Sequence, residues 1–327
     1  MLSQKIFASF NPRLPGDSLA DLAISLLKEQ KSKWRQLADG YESLDSVKVR
    51  EIYCDGFSTW LQFNPKRIIS TSANVDDKSI RERKCFLCLE NLPDEQKGVL
   101  YGDEFLILCN PAPIFPRHFT ISTVRHTRQE IGKFIGTLLS LSKELSPEFI
   151  VFYNGPRCGA SAPDHMHFQA SPSWSIPVER DAGDVQRRVL RKKEGAVSFL
   201  TLRRYGRQVL LLESEVESEL ESSFLNLISV MQRVAQATEE PMLNLLCSYQ
   251  KNAWRVIIFP RRKHRPDVYF REGEARVLIS PAAVDIGGLV VTPVERDYER
   301  VDAKMIENIF EEVSVAPDVL EKIVSEL

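Results

Sequence analysis

The sequence has no apolar run approaching the ~18 residues that a membrane-spanning helix needs. A transmembrane protein is therefore not expected. Residues 1–16 lack the charged-then-apolar layout of a secretory signal, so the expected location is cytoplasmic. Charge of one sign is also missing. Formal net charge is −2 with 27% charged residues, which argues against a nucleic-acid protein working through bulk charge. There is no low-complexity tract. Cysteine is sparse, and only Cys85 and Cys88 of the six lie close together. In a cytosolic chain of this size a disulfide framework is not expected, so that pair reads as metal-binding, redox-active or fortuitous.

What is present is material for a sizeable core, with 43% hydrophobic residues in 327. Leu19, Leu22, Ala23, Leu26 and Leu27 share a face of a helix expected over 18–38, capped by Asp17 or Ser18. Strand patterns occupy 47–64 (broken at Gly56), 105–109, 119–124, 149–153 and 165–170. Further strands are expected at 197–202, 209–212, 254–259, 277–280 and 288–292. Helical spacing covers 129–145, 219–238 and 302–313, and 70–84 reads as loop. Strands and helices intermingle without regular alternation, which predicts an α+β fold with mainly antiparallel sheet. The polar stretch 181–194 suggests a boundary near 180–195. Its basic run, 187–193, reads as a solvated face.

The most informative segment is His165-Met166-His167-Phe168-Gln169. Strand side chains alternate between faces, so the two histidines and Gln169 share one face, and Met166 and Phe168 face a core. The preceding loop, Asn154 to Pro163, is rich in small residues. Such a loop can bring backbone N–H groups and the Ser161 hydroxyl to an anion. An imidazole beside a bound phosphate is placed to attack phosphorus, with the amide two residues on holding a phosphoryl oxygen or the ring. A metal-binding or purely structural pair of histidines is the competing reading. His126 reads as a helix cap or surface group. The cluster Arg261-Arg262-Lys263-His264-Arg265 reads as a solvated loop or an anion site.

Residues 159–169 resemble the His-x-His-x-Gln signature of the histidine-triad superfamily. The branch is that of galactose-1-phosphate uridylyltransferase, diadenosine tetraphosphate phosphorylase and GDP-hexose phosphorylase. The resemblance spans roughly residues 50–315 and implies a duplicated histidine-triad fold, divided here as 1–190 and 191–327. It implies that His167 becomes nucleotidylated, assisted by Gln169 and Ser161. Asn154 and Arg67 are the implied phosphate contacts, and Gly159 of the small-residue loop and Arg261 of the basic cluster are the further candidate substrate contacts. Glutamine in place of a third histidine implies transfer rather than hydrolysis. Cys85, Cys88, His118 and His165 resemble the branch's structural zinc site, and such a closed four-ligand shell leaves no position for a catalytic water. Asp164 departs from the pattern, and no base-reading motif is evident.

The resulting expectation is a nucleotidyltransferase or phosphorylase acting on a nucleoside diphosphate sugar or a dinucleoside polyphosphate. Phosphate or a sugar phosphate is the acceptor, and a monomer or homodimer works without nucleic acid or membrane. A nucleotide hydrolase and a non-catalytic, zinc-stabilised nucleotide-binding protein are the alternatives.

Overall fold

Alternation along the strands sorts their side chains onto two faces, and both faces are covered. The computed structural model describes residues 2–14, 16–72 and 77–327. In chain order the strands are β1 (Ile6–Phe10), β2 (Lys48–Cys54), β3 (Phe57–Phe63), β4 (Gly98–Tyr101), β5 (Phe105–Cys109), β6 (Phe119–Thr123), β7 (Phe149–Asn154) and β8 (His167–Pro172). They continue with β9 (Arg188–Glu194), β10 (Val197–Leu202), β11 (Leu210–Ser214), β12 (Leu243–Gln250), β13 (Ala253–Pro260) and β14 (Leu289–Thr292). Eleven form one sheet in the order β1-β4-β5-β6-β8-β7-β12-β13-β11-β10-β9, and β14-β3-β2 form a second. All pairings in the large sheet are antiparallel except β1 with β4.

The order reveals a duplication. Strands β4, β5 and β6, the helix Ile135–Glu144, then β7 and β8 make one unit. Strands β9, β10 and β11, the helix Glu217–Ala235, then β12 and β13 repeat it. The units meet where β7 pairs with β12, Asn154 opposite Asn244 and Val151 opposite Cys247. Together they give the duplicated α+β architecture expected from the sequence.

One face of the large sheet packs Phe105, Phe119, Val151, Tyr153, Met166, Phe168 and Leu245 against the helices Leu19–Lys33, Ile135–Glu144 and Glu217–Ala235 in a single core. A fully buried Leu or Phe contributes roughly 1.5–3 kcal/mol, so a core shared by both units ties them strongly. The other face packs Ile150, Phe152, Leu246, Ile257 and Phe259 against the small sheet and the helix Ala303–Val313. No helix among the described residues is long and apolar enough to cross a membrane.

Local details differ from the sequence reading in informative places. The helix expected over 18–38 breaks at Trp34, whose backbone is extended, so Leu19–Lys33 and Arg35–Glu42 are separate helices. Ser18 provides the cap, accepting from the Asp21 N–H. The stretch 129–133 is not α-helical, and that helix starts only at Ile135. Short helices Ile68–Thr71 and Asp77–Glu82 lie where loop was expected, and residues 73–76 fall outside the described residues. Residues 277–280 form no strand. The basic run at 187–193 belongs largely to β9, the last strand of the sheet, where Lys and Arg discourage edge-to-edge pairing.

Candidate active site and metal cluster

Strand β8 presents Phe168 and Ala170 to the helix-covered core, so His167 and Gln169 point to the opposite face. There a cavity of about 530 Å³ opens, within the usual range for small-molecule sites. His167, Gln169, Ser161, Gly159, Asn154 and Arg67 all line it. Other parts of the wall come from Trp34, Phe86 and Asn91 on one side, and from His264, Arg265, Ser280 and Asp285 of the second unit.

His167 is buried, 3% exposed, and its ring is held in one orientation. Nδ1 lies 2.8 Å from the carbonyl oxygen of His165, an atom that can only accept. Nδ1 therefore carries the hydrogen and Nε2 keeps the lone pair. Burial lowers the ring's pKa to about 4, so it stays neutral at physiological pH.

Gln169 is oriented in the same way. The Ile114 N–H donates to His118 Nδ1 at 3.2 Å, which leaves the hydrogen on Nε2. That Nε2 lies 2.9 Å from Gln169 Oε1 and donates to it. The amide oxygen is thus occupied, and the NH2 group is the end available to a phosphoryl oxygen.

The loop between β7 and β8 is shaped by close approach. Gly159 has φ +93°, and a Cβ there would lie 2.7 Å from the Ala282 side chain, so glycine is required on both counts. Asn154 is anchored, its Oδ1 accepting from Asn244 at 2.9 Å and from the Ala283 N–H at 2.8 Å. Ser161 is exposed at the cavity. Arg83, which the sequence reading did not single out, donates to the Ser161 carbonyl at 3.2 Å and to Asp164 at 3.1 Å. Its Nη1 is buried without a partner among the described residues.

Arg67 lines the cavity while donating to the Ala112 carbonyl at 2.7 Å. Asp285 accepts from the Ala282 and Val291 N–H groups, and burial raises its pKa to about 6. Arg261 corrects the expectation. Its guanidinium is committed to Asn244 and to the carbonyls of Pro281, Lys263, His264 and Val313, and it does not line the cavity. It braces the segment that presents His264 and Arg265.

The metal ligand set is also corrected. Cys85, Cys88, His126 and His165 bring their ligand atoms within 4.8 Å of one another, and His118 is not among them. The reason lies in strand direction. β8 runs antiparallel to β6, with Ser122 opposite His167 and Phe119 opposite Ala170. His165, just before β8, therefore meets the end of β6, where His126 follows. His118 precedes β6, roughly 17 Å away at about 3.3 Å per residue, and meets Gln169 instead. The geometry suits a tetrahedral ion. Sγ of Cys85 and of Cys88 lie 3.3 and 3.6 Å from His165 Nδ1, and Cys88 Sγ lies 3.1 Å from His126 Nδ1. A zinc ion about 2.3 Å from sulfur and about 2.0 Å from nitrogen spaces its ligands by about 3.5 Å. His165 Nε2 donates to the Thr123 carbonyl at 2.8 Å, and Asp164 lies 3.7 Å from His126 Nε2. These are the outer partners that keep Nδ1 free for a metal. The cluster could therefore bind zinc.

Comparison with known proteins bears on the fold. Residues 181–326 match the family described as GDPGP1-like, C-terminal domain, and residues 26–172 match a domain of unknown function, DUF4922. The fold described above is shared by proteins of known structure. Three solved structures of the yeast Ap4A phosphorylase Apa2 share it. The structure titled without a ligand has a TM-score of 0.57 at 15% identity, covering 86% of this chain and 96% of that one. The complex with Ap4A has a TM-score of 0.53 at 16% identity, covering 88% and 97%. The complex with AMP has a TM-score of 0.51 at 17% identity, covering 88% and 96%. No curated protein matches the sequence.

Proposed function

We propose that this histidine-triad chain transfers nucleotidyl groups through a covalent intermediate on His167. The observation that carries the reading is the fixed tautomer of that ring. The His165 carbonyl holds Nδ1–H, and the Nε2 lone pair belongs to a buried neutral imidazole lining the cavity.

In the first step Nε2 attacks the α-phosphorus of a nucleoside diphosphate sugar or a dinucleoside polyphosphate. The Nε2–P bond forms, the P–O bond to the distal phosphate breaks, and a sugar phosphate or nucleotide leaves. The ring becomes an imidazolium, whose Nδ1–H keeps its acceptor. In the second step an oxygen of inorganic phosphate, or of a sugar phosphate, attacks the same phosphorus and the Nε2–P bond breaks. Covalent catalysis of this kind divides one difficult displacement into two easier ones. The Gln169 NH2, the Ser161 hydroxyl and the N–H groups around Gly159 stabilise charge on the phosphoryl oxygens. Arg67 and Asn154 complete the phosphate side of the cavity. Cys85, Cys88, His126 and His165 would hold a zinc ion, which would supply a structural tie fixing the chain at the start of β8 rather than chemistry. Residues 1–190 and 191–327 act as two domains sharing one cavity, and the protein works in the cytoplasm as a monomer or homodimer.

The test is phosphorolysis of ADP-, GDP- and UDP-glucose and of diadenosine tetraphosphate, each with and without inorganic phosphate. The expected product from the preferred sugar nucleotide is the nucleoside diphosphate, formed only when phosphate is added. Equal turnover to the monophosphate without phosphate would instead mean a hydrolase. Nucleotide binding without turnover would mean a sensor.

A further inference from the structure

The ladder between β7 and β8 ends early. Phe149 pairs with Pro172, Ile150 with Ser171, Val151 with Ala170 and Phe152 with Gln169. The next pair of the same face would be Asn154 with His167, and it is not formed. In its place stands the side chain of Gln129, 1% exposed. Its Oε1 accepts from the His167 N–H at 2.7 Å, and its Nε2 donates to the carbonyls of His167 at 3.1 Å and Asn154 at 2.9 Å. A glutamine amide has the acceptor and the two donors of this pattern, so one side chain bonds to both strands.

We infer that Gln129 is a positioning residue for the nucleophile: its amide holds β7 and β8 apart and fixes the backbone of His167 where the cavity opens. The segment that carries it supports the assignment. The Thr127 carbonyl accepts from the Met166 N–H at 2.6 Å, and His126 belongs to the metal cluster. The Thr123 N–H donates to the Met166 carbonyl at 3.0 Å, continuing the β6–β8 ladder, so Met166 is held from the β6 side and His167 from the β7 side. Residues 165–167 are therefore held from both sides. Among the described residues, only the Gln129 contacts reach the His167 backbone from the side where β7 would lie. Splaying the strands also releases the loop of residues 155–166, which carries Gly159 and Ser161 into the cavity wall. The assignment rests on His167 being the nucleophile, but the contacts themselves do not.

Two kinds of measurement separate those claims. In the wild-type protein the His167 amide, bonded to a buried acceptor, is expected to exchange with solvent slowly, like the amides of β8. Exchange as fast as that of the exposed residues 272–275 overturns the positioning contact whatever the activity. In the variants Gln129→Met, which removes the amide, and Gln129→Asn, which shortens it, the single-turnover rate of His167 nucleotidylation is expected to fall about 100-fold for Met, the size of effect that a misplacement of about 1 Å produces. The loss for Asn is expected to be smaller. KM for the nucleotide should stay within about threefold, and ¹⁵N shifts should show His167 leaving the pure Nδ1–H tautomer. A folded variant of either kind with the wild-type rate and tautomer contradicts the inference. If the wild type forms no adduct, the nucleophile assignment fails, while the exchange and ¹⁵N readouts still decide the role of Gln129.

Discussion

The two units of this chain contain the same hairpin in the same place, built in opposite ways. In the second unit β12 and β13 pair without interruption from Leu243–Pro260 to Gln250–Ala253. They are closed by Lys251 and Asn252, both with positive φ, as a two-residue type I′ hairpin turn requires. In the first unit β7 and β8 stop pairing at Phe152–Gln169, and residues 155–166 intervene. One hairpin is a closed structural element, with Val256, Ile257, Ile258 and Phe259 buried on both faces. The other is opened, and the opening holds the glycine loop, the neutral His167 and, beside it, the Cys/His cluster. Duplication supplied the scaffold twice, and the inserted loop with its polar supports separates a site from a plain strand pair.

The comparison can be broken most severely at His167. His167→Ala should reduce turnover below detection with the fold intact by circular dichroism. Arg255→Ala, on the equivalent strand β13, should leave turnover within twofold, because its partner Glu213 forms only a partly exposed ion pair. Equal losses in both variants would remove the distinction between the units. Next in size, Cys88→Ser should abolish stoichiometric metal in elemental analysis and lower the melting temperature by several degrees, since a structural ion contributes folding energy directly. Unchanged metal content would remove Cys88 from the ligand set.

Gly159→Ala should cost about 1–3 kcal/mol in chemical denaturation, from an unfavourable φ and from the close Ala282 contact. Asn252→Gly, in the closed turn, should be nearly neutral because glycine tolerates positive φ. The smallest effect is in the pH profile. Burial depresses the His167 pKa to about 4, below its ordinary value of 6.5. The lone pair is then present above pH 4, so adduct formation should be level from pH 8 to about 5 and fall only as pH drops through 4. A decline centred on pH 6.5 would mean a solvated ring.

Much of the site could be read from the sequence because strand alternation is a local rule. It placed His167 and Gln169 on one face and Met166 and Phe168 on the other, and the glycine loop beside them. What could not be read depended on strand direction and partner choice. His118 and His126 stand on either side of β6, and only the antiparallel pairing of β6 with β8 decides which of them reaches His165. Arg261 lay in a basic cluster that suggested an anion site, yet its hydrogen bonds are satisfied internally by Asn244 and four carbonyls. Gln129 fell within an apparent helical pattern. Its contacts with Asn154 and His167 lie 25 and 38 residues away, so no local pattern could signal them. Arg83 was likewise hidden, because its partners Ser161 and Asp164 lie far along the chain.

The central claim is that His167 carries the transferred group, and intact-mass spectrometry tests it most directly. Wild-type protein incubated with the preferred nucleotide substrate and no phosphate should gain the mass of one nucleotidyl group. Added phosphate should remove it, and His167→Ala should never acquire it. Turnover of the wild type with no adduct under any such condition, or an undiminished adduct on His167→Ala, would contradict the account.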